Sequence, residues 1–121
     1  VPDYQPVVLV VEDEPFLRLS TVADLEDDGF IVLEASSADE AIEIIEGRPD
    51  IQVIFTDIDM PGSMDGLRLA AFVRDRWPPI KIIITSGNNL PGASLPRDVP
   101  FMGKPYKRQD VTSAIRMIIS Q

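Results

Sequence analysis

Val53-Ile54-Phe55-Thr56 runs straight into Asp57, and three residues later Met60-Pro61-Gly62 supplies a turn. A run this apolar has no side to give to water. It predicts a strand covered on both faces, in the middle of an α/β sheet. Its last side chain then sits at the carboxyl end of the strand, where open α/β sheets place their chemistry. A carboxylate is a poor strand residue and costly to bury alone. Asp57 is therefore either a cap on the following turn or a working group.

The rest of the chain repeats the pattern. Val7 to Val11 is a second buried, β-branched run, and Phe30 to Ala35, Lys81 to Thr85 and Val99 to Met102 read as further strands, the central one spanning Ile51 to Thr56. Pro15 fits the first turn of a helix over Phe16 to Asp28, with Phe16, Leu17, Val22, Ala23 and Leu25 inward and Gly29 as a left-handed cap. Ser37 and Glu40 have capping-box spacing and open a second helix, with Ala41, Ile42, Ile44 and Ile45 inward, that Gly47 and Pro49 stop. Asp65 to Arg76 is the third, with Leu67, Leu69, Ala70, Phe72 and Val73 to pack, closed by Trp77-Pro78-Pro79. Pro91, Gly92 and Pro96 exclude a long helix between Asn88 and Asp98, leaving at most a short turn through Ala93 to Leu95. Gln109 to Ser120 closes the chain as a helix with Val111, Ala114, Ile115, Ile118 and Ile119 inward. Alternating strands and helices predict one α/β domain over residues 1–121. Its doubly wound, five-stranded parallel sheet follows a loose lead-in at 1–6.

Composition removes several functions. With neither cysteine nor histidine, disulfides, thiol chemistry, histidine general bases and histidine-ligated metals are all excluded. A net charge of −9, without a dense basic block, sets the surface against direct nucleic-acid binding. No apolar run reaches membrane-spanning length and no signal peptide is visible, so no membrane association and a cytoplasmic location are expected.

Four strands hand over to a polar group at one end of the sheet: Glu12 and Asp13, Asp57, Ser86, and Lys104 through Gly103. Taken singly, each has a plainer reading. Glu12 and Asp13 suit a helix N-terminus, Ser86 a turn, Lys104 a solvated surface, and Asp65 a helix cap. Together they converge if their strands are neighbours. Three carboxylates that close repel one another unless neutralised, and a hard divalent cation such as Mg²⁺ is the natural remedy. A cation site needs no lysine, whereas a transferred phosphoryl group wants a metal on one side and an ammonium on the other. The Ser86 hydroxyl can donate to a third oxygen, and Asp57 is the nucleophile that forms an acyl phosphate.

These pieces carry a resemblance. Glu12-Asp13 after an apolar strand, Asp57 with Met60-Pro61 and Met64-Asp65-Gly66, Ser86-Gly87 and Lys104-Pro105 resemble the receiver domain of two-component response regulators. The resemblance implies a flavodoxin-like sheet of order 2-1-3-4-5 and a sensor histidine kinase or histidine phosphotransfer protein as phosphodonor. It implies Asp13 and Asp57 as direct Mg²⁺ ligands, the Asp59 carbonyl as a third, and Glu12 acting through a coordinated water. Lys104 and Ser86 contact the phosphoryl oxygens, Lys104–Pro105 is cis, and the same cleft later hydrolyses the acyl phosphate. Phe101 takes the place of an aromatic switch that turns inward as Ser86 moves; its plainer reading is strand core. Tyr106 is expected to be more exposed and available to a partner.

The chain also departs from that family. Gly62 and Ser63 make two residues where one is common, so the loop after the nucleophile is longer. The stretch from Ser86 to Lys104 is short and proline-broken, so the helix there is shortened or irregular and a monomer is favoured over a dimer through it. Such segments look like those of receivers that work with or within sensor kinases. Turnover limited to phosphoryl acceptance and self-hydrolysis is not that of a conventional enzyme. Competing readings are a Mg²⁺-dependent phosphatase with an aspartyl-phosphate intermediate, for which Asp59 is well spaced but no cap is available, and a phosphorylation-independent interaction module.

Overall fold

The computed structural model describes residues 5–60, 64–87 and 99–121. They form β1 (Val7–Val11), α1 (Pro15–Asp27), β2 (Ile31–Ala35), α2 (Ala38–Gly47), β3 (Val53–Asp57), α3 (Gly66–Arg76), β4 (Lys81–Ser86), β5 (Phe101–Gly103) and α4 (Arg108–Ile119). All five strands are parallel in one sheet of order β2-β1-β3-β4-β5. That is the order the resemblance implied. The turn expected through Ala93 to Leu95 and the insertion at Gly62-Ser63 lie outside the described residues.

Burial follows apolarity. Every residue of β1 and β3 is buried, and so is β4 beyond Lys81, whereas the edge strands β2 and β5 are mostly half-buried or exposed. Alternation sends Val8, Val10, Val53, Phe55 and Ile83 to one core with Val22 and Leu25 of α1 and Val111, Ile115 and Ile118 of α4. It sends Leu9, Val11, Ile54, Ile82 and Ile84 to the other, with Ala41 and Ile45 of α2 and Leu69, Ala70 and Val73 of α3. Each fully buried aliphatic side chain contributes about 1.5–3 kcal/mol relative to exposure. The middle strands are thus held from both sides, which fixes their carboxyl ends. No helix among the described residues is long and apolar enough to cross a membrane.

Local chemistry starts and stops the helices. Pro15 is the first residue of α1, and the Glu14 carboxylate accepts from the Phe16 and Leu17 amides. Ser37 Oγ accepts from the Glu40 amide at 3.2 Å, while Glu40 reaches back to the Ser36 amide, one residue beyond the usual box. Gly29 has φ +99°, the left-handed conformation expected where α1 ends. One expected face is wrong. Phe16 is 80% exposed and Ala23 is exposed too, because the buried stripe of α1 is Thr21, Val22 and Leu25. At 100° per residue Phe16, Leu19 and Ala23 fall on the opposite side.

A polar clamp fastens α4 to the end of α1. Asp28 accepts from Arg108 Nη2 at 2.7 Å, from Arg108 Nε at 3.3 Å and from the Thr112 hydroxyl. Arg116 donates to the Asp28 carbonyl and lies over the Phe30 ring. The Arg108 hydrogen bond, then that of Thr112, pushes the Asp28 carboxyl down to about 2. A carboxyl depressed in the folded state stabilises it above its unfolded value, near 4, and that stability is lost as pH falls toward 2. Asp28→Asn should therefore destabilise the protein at neutral pH, and the difference from the unsubstituted protein should shrink between pH of about 4 and 2. Urea unfolding across that range measures it; a difference independent of pH would remove Asp28 from the acid response.

Candidate functional site

Asp57 is the last residue of β3, Glu12 and Asp13 follow β1, Ser86 ends β4 and Lys104 follows β5. Since β1, β3, β4 and β5 are consecutive in the sheet, these residues meet above its carboxyl edge. Alternation divides them. Glu12, Asp57 and Lys104 lie two residues beyond Val10, Phe55 and Met102, all of which pack on the α1–α4 side. Ser86 lies two beyond Ile84, on the α2–α3 side, where Phe101 also packs.

On the first side Lys104 Nζ lies 2.8 Å from Glu12 Oε1 and 3.2 Å from Asp57 Oδ2. Glu12 and Asp57 are each 4% exposed. Glu12 Oε2 also accepts from the Glu14 amide at 3.0 Å, and Asp57 Oδ1 accepts from the Asp59 amide at 3.4 Å. Burial pushes both carboxyls above their ordinary values, and Lys104 opposes it. Burial alone would lower the Lys104 ammonium, but the hydrogen bond to Glu12 and the charge of Asp57 outweigh it and hold the group high. All three groups are thus set by one another.

Glu12, Asp13 and Asp57 each offer a carboxylate oxygen, and these lie within 4.8 Å of one another. The donors are all hard oxygens, as Mg²⁺ prefers. Three carboxylates against the one ammonium leave two negative charges, which a divalent cation balances. The residues present therefore fit such an ion. The Asp59 carboxylate stands apart from this group and accepts from Ser86 Oγ at 3.3 Å. Asp65 caps α3 by accepting from the Arg68 amide at 2.9 Å, its plainer reading. The Lys104–Pro105 bond is cis.

Tyr106 corrects an expectation. It is half-buried rather than free, with its ring edge-on to Phe55 at 5.4 Å and its hydroxyl 3.0 Å from Thr21 Oγ1. Burial raises its phenol, with the Thr21 hydrogen bond acting the other way. The residue two beyond Lys104 thus packs on the residue two before Asp57. Phe101 is half-buried against the opposite core.

Three features escaped the sequence reading. Arg18 donates to the Glu12 carbonyl at 2.9 Å and to Glu34 at 3.0 Å, bracing the loop that carries Glu12. Thr85, in register with Asp57, is buried, and its hydroxyl has no hydrogen-bond partner among the described residues. Gly66 opens α3 against the backbone of Asp57: a Cβ there would lie 1.9 Å from the Asp57 carbonyl oxygen and 2.8 Å from Ile58 Cα. The motif contained Gly66, but only the fold shows what it touches.

Residues 8–116 match the response regulator receiver domain. The chain belongs to the response regulator receiver family. This receiver is 33% identical over 119 residues to sensor kinase CckA of Brucella abortus (strain 2308), covering 94% of the chain and 12% of CckA. It is 28% identical over 120 residues to aerobic respiration control protein ArcA of Escherichia coli (strain K12), covering 96% of the chain and 49% of ArcA. The chain thus spans less than half the length of either relative. A response regulator receiver protein from Sinorhizobium medicae WSM419 superimposes with TM-score 0.89 at 26% identity, covering 96% of this chain and 95% of that one. The receiver domain of the hybrid histidine kinase CckA does so with TM-score 0.80 at 27% identity, covering 93% and 98%.

The Gly66 contact has a measurable cost. Gly66→Ala should destabilise the receiver by roughly 2–4 kcal/mol, because α3 must move off β3 and cannot do so without disturbing Asp57. Denaturant unfolding tests this, and a loss below about 0.5 kcal/mol, typical of a neutral surface change, would show that the approach is not tight.

Proposed function

We propose that this receiver takes a phosphoryl group on Asp57 from a phosphohistidine-bearing sensor kinase or phosphotransfer protein and later hydrolyses it. One observation carries the reading: a buried carboxylate at the end of the central strand, 3.2 Å from a lysine ammonium and grouped with Glu12 and Asp13. The similarity to sensor kinase CckA supports a donor of that kind.

An Asp57 oxygen attacks phosphorus, an O–P bond forms, and the N–P bond of the partner's phosphohistidine breaks with its electron pair going to the imidazole nitrogen. Lys104 shifts from its carboxylate partners toward the phosphoryl oxygens, where its charge offsets the negative charge gathering there. Ser86 donates its hydroxyl to another of these oxygens. Asp13 and Asp57, with the Asp59 carbonyl and Glu12 through a water, would hold Mg²⁺, which when bound supplies positive charge to the transferring group. In the off reaction water attacks phosphorus, the Asp57 O–P bond breaks, and inorganic phosphate leaves with the carboxylate restored. Phe101, in register with Ile84 and packed on the α2–α3 side, is the residue that would turn inward with Ser86.

Incubation with Mg²⁺ and a small acyl phosphate should add one phosphoryl group that hydroxylamine removes, and Asp57→Asn should abolish the labelling. Unchanged labelling in that variant would sink the assignment. Titration with Mg²⁺ should raise the melting temperature by mass action. Asp13→Ala should weaken Mg²⁺ binding roughly tenfold or more, and Glu12→Ala less, since its contact runs through water. Equal losses, or phosphorylation indifferent to divalent ions, would count against this ligand set.

A further inference from the structure

We propose that Asp59 is a positioning residue for Ser86: its carboxylate holds the serine hydroxyl in the resting receiver and releases it when Asp57 carries a phosphoryl group. This rests on the phosphoryl-acceptor reading above.

Ser86 ends β4 on the α2–α3 side and is 4% exposed, and its Oγ donates to Asp59 Oδ2 at 3.3 Å. Asp59 is two residues past the nucleophile, and its amide donates to Asp57 Oδ1 at 3.4 Å. One residue therefore touches both groups, Asp57 through its backbone and Ser86 through its side chain. The Asp59 carboxylate is exposed and lies outside the group formed by Glu12, Asp13 and Asp57, so it remains available to the hydroxyl.

A serine hydroxyl has one proton to donate. It cannot serve Asp59 and a phosphoryl oxygen together, so the resting bond must break before Ser86 turns to the phosphoryl group. A phosphoryl group also places close to two negative charges next to the Asp59 carboxylate. Repulsion weakens the resting arrangement just as a stronger acceptor appears. The Ser86–Asp59 bond thus sets how much of the phosphoryl group's binding free energy is used to turn the serine.

The plainer account is an exposed acid that acts on the site by charge alone. A double-mutant cycle separates the two. The measured quantity is the affinity for beryllofluoride with Mg²⁺, a stable mimic of the aspartyl phosphate. The proteins are the unsubstituted chain, Asp59→Ala, Ser86→Ala and the pair; Asp59→Ala keeps the backbone carbonyl. Removing a negative charge should tighten binding in both serine backgrounds. The latch adds a further gain only where Ser86 is present, about fivefold, the equivalent of one net hydrogen bond of roughly 1 kcal/mol. Asp59→Asn keeps an acceptor oxygen and loses the charge, so its coupling to Ser86 should fall near one. Equal gains for Asp59→Ala with and without Ser86 would overturn the latch while leaving the acceptor reading intact. No mimic binding by the unsubstituted receiver, indistinguishable from Asp57→Asn, would overturn both.

Discussion

A single ammonium holds the carboxyl edge of this sheet together. Lys104 arrives from the far edge strand β5, and its side chain must reach past β4 to meet Asp57 on β3 and Glu12 beyond β1. Its backbone amide is fixed to the Ser86 carbonyl at 2.9 Å, and its stem passes Gly87, where an added Cβ would already touch Lys104 Cδ at 3.6 Å. Strands that are not neighbours are thereby tied at one point. Burial pushes the two carboxyls toward their neutral forms and the ammonium pushes back. The arrangement is poised, because two buried carboxyls share one cation.

The site is split by the pleat. The charged trio belongs to the α1–α4 side, and Ser86 and Phe101 to the α2–α3 side. The segment around Asp57 touches both halves, through Phe55 packed on Tyr106 and through Asp59 bonded to Ser86. Side chains that never share a core are thus joined through the residues on either side of Asp57.

Much of this was legible in the sequence, for identifiable reasons. Val7 to Val11 and Val53 to Asp57 admit one environment, burial on both faces, and that alone orders the sheet's interior. Glu12, Asp13, Asp57, Ser86 and Lys104 could be gathered because each ends or follows a strand. Side-chain direction at helix starts was less legible. Phe16 is apolar and early in α1, yet the stripe that faces the sheet is set by Thr21, Val22 and Leu25, and a half-polar stripe gives a weak periodic signal. The packing of Tyr106 is not legible because its partners, Phe55 and Thr21, are 51 and 85 positions away. The same holds for Arg18 on Glu34 and for Asp28 on Arg108. Ion pairs between distant residues leave no periodicity behind.

Gly66 bears on the loop that follows Asp57. The Gly66 amide donates to the Ile58 carbonyl at 3.0 Å, and its Cα lies too close to the Asp57 carbonyl to admit a side chain. The chain that leaves Asp57 is pinched shut at its base before α3 begins. Lengthening a loop whose ends are already pinned costs little, since closure entropy grows only with the logarithm of its length. The segment between Ile58 and Gly66 can therefore change length at little entropic cost, while the strand ends that carry Glu12, Asp57, Ser86 and Lys104 stay in register.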